Sequence, residues 1–321
     1  MAQTLVQAAK LSNDVLQAGI LELFVRKDPI FEKLGYIDIL GNGLTYNVET
    51  TEPTAQFYSV GDTWVEGTGT TTQTTANLVI LGGDVEVDNF LMATRSNIND
   101  LKAETIESKV KAVKHKFMDI FYYGHTTLDT KSFNGLQKLI ESGTAAYKNT
   151  HGIGTATTTE KLLLLQELEE AIDLVRVGEP DLMIMSHLMR QHINKYLRGV
   201  GGITYEDAAN GRIQTLFGIP VVVSHYVRDT ENCLHEYVSG EWGYDSDSAA
   251  TDAATTIFLL QFGPQAVQGL QESPMNIEDL GPMETKDAHK YRIKWYCGLM
   301  LQNILTCAKV TGIDPDGTVA A

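Results

Sequence analysis

The clearest pattern along the chain is the run from Ile98 to Tyr123. Apolar side chains at Ile106, Val110, Val113, Phe117 and Ile120 recur at alternating four- and three-residue spacing, which puts them on one face of a helix. Asn97 or Asn99 can cap its start, Asp100 and Glu104 suit the positive end of the helix dipole, and Gly124 supplies a natural stop. At 1.5 Å per residue the helix reaches roughly 39 Å, well past the usual three or four turns. A helix of that length needs a neighbour along most of it.

Upstream, Ser12 or Asn13 can cap an amphipathic helix with Leu16, Ile20 and Phe24 on its apolar face, ended by Asp28-Pro29. Between Tyr36 and Thr94 the pattern changes to period two. Leu44 to Glu49 and Asp84 to Asp88 alternate, and Asn77 to Leu81 is a β-rich apolar run. The threonine- and glycine-rich stretch Gly67 to Thr75 has no core-forming residue and is expected to be the flexible tip of a long two-stranded ribbon. Such a ribbon is marginal alone in water, so Phe57, Tyr58 and Trp64 need cover from a partner.

Beyond the long helix and a polar loop at His125 to Ser132, Thr157 and Glu160 form a capping box for a helix to Val177, with Leu164, Leu168, Ile172 and Val175 inward. Asp181 to Met185 reads as a buried strand and Ser186 as the cap of a helix to about Leu197. Gly199 to Gly211 reads as a loop, and strands follow at Ile219 to Ser224, around Leu234 to Val238, and at Thr256 to Phe262. This alternation predicts a compact α/β unit inserted into a β-rich frame that resumes at Lys290 and runs on to Ile313.

Charge narrows the function classes. Of 321 residues 41 are acidic and 25 basic, a net charge of −16, which argues against gripping a phosphate backbone. Half of that net charge lies in Tyr36 to Thr94, which carries Asp38, Glu49, Glu52, Asp62, Glu66, Asp84, Glu86 and Asp88 and no lysine or arginine. Cys233, Cys297 and Cys307 have neither CxxC nor metal-type spacing, so a reducing compartment is expected. Neither a signal-peptide pattern nor an apolar run of membrane-spanning length is visible.

No catalytic, cofactor or metal motif stands out. His235-Glu236 opens like HExxH, but Ser239 occupies the second histidine's place. His187 and His192 are five apart and off one helix face, the Glu167, Glu169 and Glu170 run reads as a solvated face, and Ser224, His225 and Asp229 are a triad only on paper.

Several short stretches then fall in a telling order: Gly82-Gly83-Asp84-Val85-Glu86-Val87-Asp88, the long helix, Phe133-Asn134-Gly135-Leu136, Phe217-Gly218-Ile219-Pro220-Val221-Val222, Phe262-Gly263-Pro264-Gln265-Ala266, and Arg292-Ile293-Lys294-Trp295-Tyr296. Together they resemble the major capsid proteins of tailed phages, the Hong Kong 97-like family. The resemblance implies an α+β fold with an N-arm at 1–35, the β-ribbon "E-loop" and its flanking strands at 36–94, and a peripheral domain with its spine helix at 95–154. An axial α/β domain would occupy 155–270, and 271–321 would return to the peripheral domain. It also implies hexamers and pentamers, assembled in a bacterial cytoplasm as a procapsid that matures into the icosahedral shell of a virion around double-stranded DNA. The implied partners are further copies of the chain, a portal protein, a separate scaffolding protein (the N-arm pattern begins almost at Met1) and a possible decoration protein, with no membrane, enzyme activity, cofactor or metal. Some family members weld subunits through a Lys–Asn bond with its lysine in the E-loop; this ribbon has no lysine, and Ile277 to Gln302 has no asparagine. Encapsulin-type nanocompartments share the fold and are the competing expectation.

The contacts expected between subunits combine these readings. Phe57 and Trp64 would anchor the ribbon on a neighbour. Lys290, Arg292 and Lys294 alternate with Tyr291, Ile293 and Trp295, so the bases share one strand face and are expected to receive the acidic ribbon through Glu52, Asp62 and Glu66.

Overall fold

The computed structural model describes residues 30–95, 101–127, 129–141, 150–152, 165–200, 204–208, 211–229, 231–232, 237–238, 241–242 and 253–313. The expected helix at 12–28, the start of the spine helix at 97–100, the Thr157–Glu160 capping box, Cys233 and residues 234–236 lie outside the described residues.

The chain enters through one helical turn, α1 (Ile30–Lys33), and a short strand, β1 (Tyr36–Asp38). The ribbon is β2 (Gly43–Thr51) paired antiparallel with β3 (Thr70–Asn77), and only Leu78 separates it from β4 (Val79–Asp88). Next come α2 (Asn89–Arg95), the spine helix α3 (Leu101–Tyr123) and α4 (Leu136–Glu141). Then follow β5 (Thr150–Gly152), α5 (Leu165–Asp173), β6 (Leu182–Met185), α6 (His187–Val200), β7 (Thr204–Ala208), β8 (Gly211–Leu216) and β9 (Ile219–Val223). The last long strands are β10 (Ala253–Leu260), β11 (Val267–Gln271), β12 (Asn276–Pro282), β13 (Ala288–Leu301) and β14 (Ala308–Ile313).

Two sheets organise these elements. In the first, the order is β1-β11-β13-β12, with β4 also paired to β13 over Val79 to Asp88. The second runs β5-β14-β10-β6-β9-β8-β7. The spine helix bridges them. Its N-terminal half lays Ile106, Val110 and Val113 on Val85, Val87, Tyr291 and Ile293 of the first sheet. Its C-terminal half sinks Phe117, Phe121 and Tyr122 into a core shared with Trp295 and Leu299 of the first sheet and with Leu182, Ile184, Phe258 and Leu260 of the second. The opposite face of the second sheet packs Met183, Met185 and Ile257 under Leu168, Met189, Ile193 and Leu197 of α5 and α6. Strand β6 is therefore covered on both faces, which explains why it is apolar without alternation. Ser186 caps α6 as its position suggested, its Oγ accepting from the Met189 amide at 3.1 Å.

The spine helix ends where backbones meet. The Gly124 amide donates to the Ile120 carbonyl at 2.7 Å and the Gly135 amide to the Gly124 carbonyl at 2.7 Å. A Cβ on Gly135 would be driven into the Ile120 carbonyl and the Gly124 nitrogen, so Phe133-Asn134-Gly135-Leu136 needs glycine for close approach. That approach seats the Phe133 ring 5.6 Å from Phe117.

Three expectations are corrected. Thr70 to Thr75 is not a flexible tip but strand β3, opposite Thr45 to Thr51. Threonine is β-branched and suits an extended ribbon exposed on both faces, where no core residue is needed; its hydroxyls also meet across the pair, Thr50 to Thr72 at 2.7 Å and Thr70 to Thr51 at 2.9 Å. The tip is therefore 52–69. Second, the expected loop at Gly199 to Gly211 contains β7, paired with β8. Third, the sheets do not divide at residue 270 or keep the tail in the first sheet: β11 already belongs to the first, and β14 returns to the second between β10 and β5. All six residues of β14 are buried, which requires a strand paired on both edges and covered on both faces.

Candidate assembly surfaces

The face alternation of β13 is as expected, but its charges already have partners. Tyr291, Ile293 and Trp295 are buried while Lys290, Arg292 and Lys294 lie on the other face. In register with them on β4 are Glu86 opposite Lys290 and Asp84 opposite Arg292. The Asp84 carboxylate takes Arg292 in a two-pronged contact, Nε at 2.7 Å and an Nη at 3.0 Å, and Lys290 at 2.7 Å. Lys294 pairs with Glu278 of β12, and Lys286 reaches Glu86 at 3.3 Å. Hydrogen bonds from Arg292 and then Lys290 hold the Asp84 carboxyl well below the usual carboxylate range. The premise of a bare basic strip waiting for a neighbour's ribbon is thus corrected. These three bases are matched by the returning strand of their own ribbon and by β12, because antiparallel pairing sets acids and bases side by side on one face.

The ribbon tip is the reverse case. Phe57 and Val60 are 107% and 108% exposed and Trp64 79%. Glu52 and Glu66 are also exposed. Asp62, expected as a docking acid, instead closes a turn: its carboxylate accepts from the Ser59 amide at 2.6 Å, and its own amide donates to the Ser59 carbonyl at 3.1 Å. Sequence reading found the aromatic residues but missed this local architecture.

The sites considered for chemistry are dispersed or occupied. Ser224 is buried and its hydroxyl accepts from the Tyr226 amide at 3.2 Å, whereas His225 is exposed with its ring stacked 6.4 Å from that of His187. Residues 235, 236 and 239 lie outside the described residues. Among the described residues no group of His, Cys, Asp and Glu could hold a metal ion, and no helix is long and apolar enough to cross a membrane. Cys297 and Cys307 are fully buried, and burial pushes their thiols up to about 12 and about 11, which keeps them protonated and unreactive.

No protein-family model matches the chain, and no curated protein sequence does. Solved structures do. A chain of the holo-SrpI encapsulin complex from Synechococcus elongatus PCC 7942 superposes with a TM-score of 0.68 at 15% identity, over 99% of this chain and 98% of that one. The capsid of Myoviridae phage XM1 matches with a TM-score of 0.62 at 13% identity, over 94% and 97%. A chain of Mycobacterium phage Bobi matches at 0.60 and 13% identity, over 96% and 97%. Ribbon, spine helix and two sheets together thus make the Hong Kong 97-like capsid fold.

Proposed function

We propose that this chain is the major capsid protein of a tailed double-stranded DNA bacteriophage, forming hexamers and pentamers that close into an icosahedral shell in the virion. The observation that carries the reading is the union of a capsid fold over nearly the whole chain with a ribbon that projects an uncovered apolar tip. A subunit that works alone has no use for such an arm; a repeating shell uses it in every copy. The chain acts structurally, without catalysis of its own, and assembles with further copies of itself, a scaffolding protein and a portal. Its net charge of −16 suits a container whose wall must not hold the packed polyanion.

A second reading, an encapsulin-type compartment enclosing protein cargo, is favoured by the 0.68 TM-score to the Synechococcus encapsulin. The acidic, lysine-free segment at 36–94 weighs toward the phage reading. Expression of the full chain with its neighbouring genes, followed by electron microscopy and analysis of particle contents, separates the two. Nuclease-protected DNA inside closed particles supports the phage capsid; a co-purifying cargo protein in DNA-free particles supports the compartment; a soluble monomer under all conditions rejects both.

A further inference from the structure

We propose that α5 and α6 are the two halves of one ionic contact between copies of this chain, with Lys195 and Arg198 of one copy set against Glu169 and Asp173 of the next. The proposal rests on the shell reading and places a charge-matched contact on the second sheet's helices.

Each helix presents one sign of charge. α6 carries Arg190, Lys195 and Arg198 and no acid, in a chain of net charge −16. α5 carries Glu167, Glu169, Glu170 and Asp173 and no base; Arg176 follows its end and Glu179 offsets it. The inner faces are ordinary. Leu168 and Ala171 of α5 and Met189, Ile193 and Leu197 of α6 are buried against the second sheet. Outward, Glu169 and Asp173 stand four residues apart and Lys195 and Arg198 three apart, so each pair shares one exposed helix face.

At the spine helix and the ribbon root, charge is matched within the chain. The spine helix pairs Lys111 with Glu107 one turn earlier at 2.9 Å, and the root pairs across strands as described above. Glu169, Asp173, Lys195 and Arg198 make no ion pair among the described residues. The sheet keeps them apart. α5 lies over β14 and β5, whereas Asn194 of α6 donates to Gln214 of β8 at 3.2 Å. β14 and β8 are separated by β10, β6 and β9, which sets them roughly 19 Å apart at about 4.8 Å per strand. That distance is beyond the reach of an ion pair between the two helices.

A second copy is the occupant because it answers both faces at once. Nucleic acid suits α6 and leaves α5 unmatched; a basic peptide does the reverse. Faces of opposite sign over the two ends of one sheet are complementary head to tail, and a head-to-tail contact repeated by rotation closes a ring.

The test uses the full chain. Lys195→Glu with Arg198→Glu reverses one face, Glu169→Lys with Asp173→Lys reverses the other, and a combined variant exchanges both. At about 0.1 M salt, each double variant should raise the concentration needed for assembly about tenfold. The combined variant should return it to within about twofold of wild type, since every contact again joins opposite signs. At about 1 M salt, where exposed charges are screened beyond about 3 Å, the difference between variants should shrink. The unfolding midpoint of the unassembled subunit should match wild type throughout. A combined variant that assembles no better than the double variants overturns the contact while leaving the shell reading intact. So does assembly of both double variants at the wild-type concentration. A midpoint lowered in both double variants and restored in the combined one puts the pairing inside a single chain and overturns it as well. Loss of bound nucleic acid in K195E/R198E with unchanged assembly assigns α6 to nucleic acid instead. A wild-type chain that never assembles overturns the shell reading beneath it.

Discussion

The two ends of the acidic ribbon solve the same problem in opposite ways. At the root, β4 carries Asp84 and Glu86 against Lys290, Arg292 and Lys286, and its other face is buried as Val85 and Val87. At the tip, Phe57, Val60, Glu52 and Glu66 are all left to solvent. One end is completed by its own chain and the other is left open. A charged strand therefore does not announce an interface, since its complement can lie one strand away. What points to an interface is the apolar surface that none of the described residues covers.

The contrast breaks first in the core. Phe117→Ala empties a fully buried site packed 4.7 Å from the Trp295 ring and should cost the subunit about 3–5 kcal/mol, read as a fall in its denaturation midpoint. Excising Ala55 to Glu66 and closing the gap with two glycines removes more aromatic surface, yet should leave that midpoint nearly unchanged while abolishing shells, because the tip supports no core. A collapse of subunit folding on excision would erase the distinction.

Charge reversal sharpens it. Reversing Lys290, Arg292 and Lys294 to glutamate sets three new acids beside Asp84, Glu86 and Glu278, so the isolated subunit itself should lose stability, by about 1–3 kcal/mol. Exchanging Glu52 and Glu66 for lysine should stay within about 0.5 kcal/mol in the same denaturation assay. Equal effects from the two sets would mean that the root ladder is as idle as the tip acids.

The smallest effect is the pH dependence of the root. The Asp84 carboxyl titrates lower in the folded chain than in the unfolded one, so its contribution is full above the unfolded value of about 3.9 and fades as pH falls from there. Asp84 is about a third exposed and solvent screens its pairs, which limits the contribution to about 0–1 kcal/mol. Asp84→Asn should accordingly narrow the stability difference between pH 7 and pH 3 slightly, measured by denaturant titration at the two values. A variant with the wild-type pH slope would assign acid sensitivity elsewhere.

Much of the body was legible because burial imposes period. The stripe Ile106, Val110, Val113, Phe117 and Ile120 matched a helix whose face is covered, and Tyr291, Ile293 and Trp295 matched the inner face of β13. What stayed hidden was whatever burial does not mark. The threonines of β3 pair in the open, so no apolar alternation betrays them. The return of β14 to the second sheet is a choice of partner among strands that all look alike in sequence. Asp62 read as a spare charge because its work, closing a turn on Ser59, spans three residues and leaves no pattern. For the tip, the aromatic residues were visible in the sequence; the stacking of Tyr58 on Trp64 was not.

The junction at Leu78 also sets how the molecule carries load. Because β3 runs into β4 through one residue, a pull on the tip passes along the axis of a strand held in register with β13 over ten residues. Antiparallel hydrogen bonds lie across that axis, so the tension loads them side by side rather than opening them one by one. β13 is in turn held by β11 and β12 and backed by the spine helix. Strain arriving at the ribbon root is thereby spread through the first sheet.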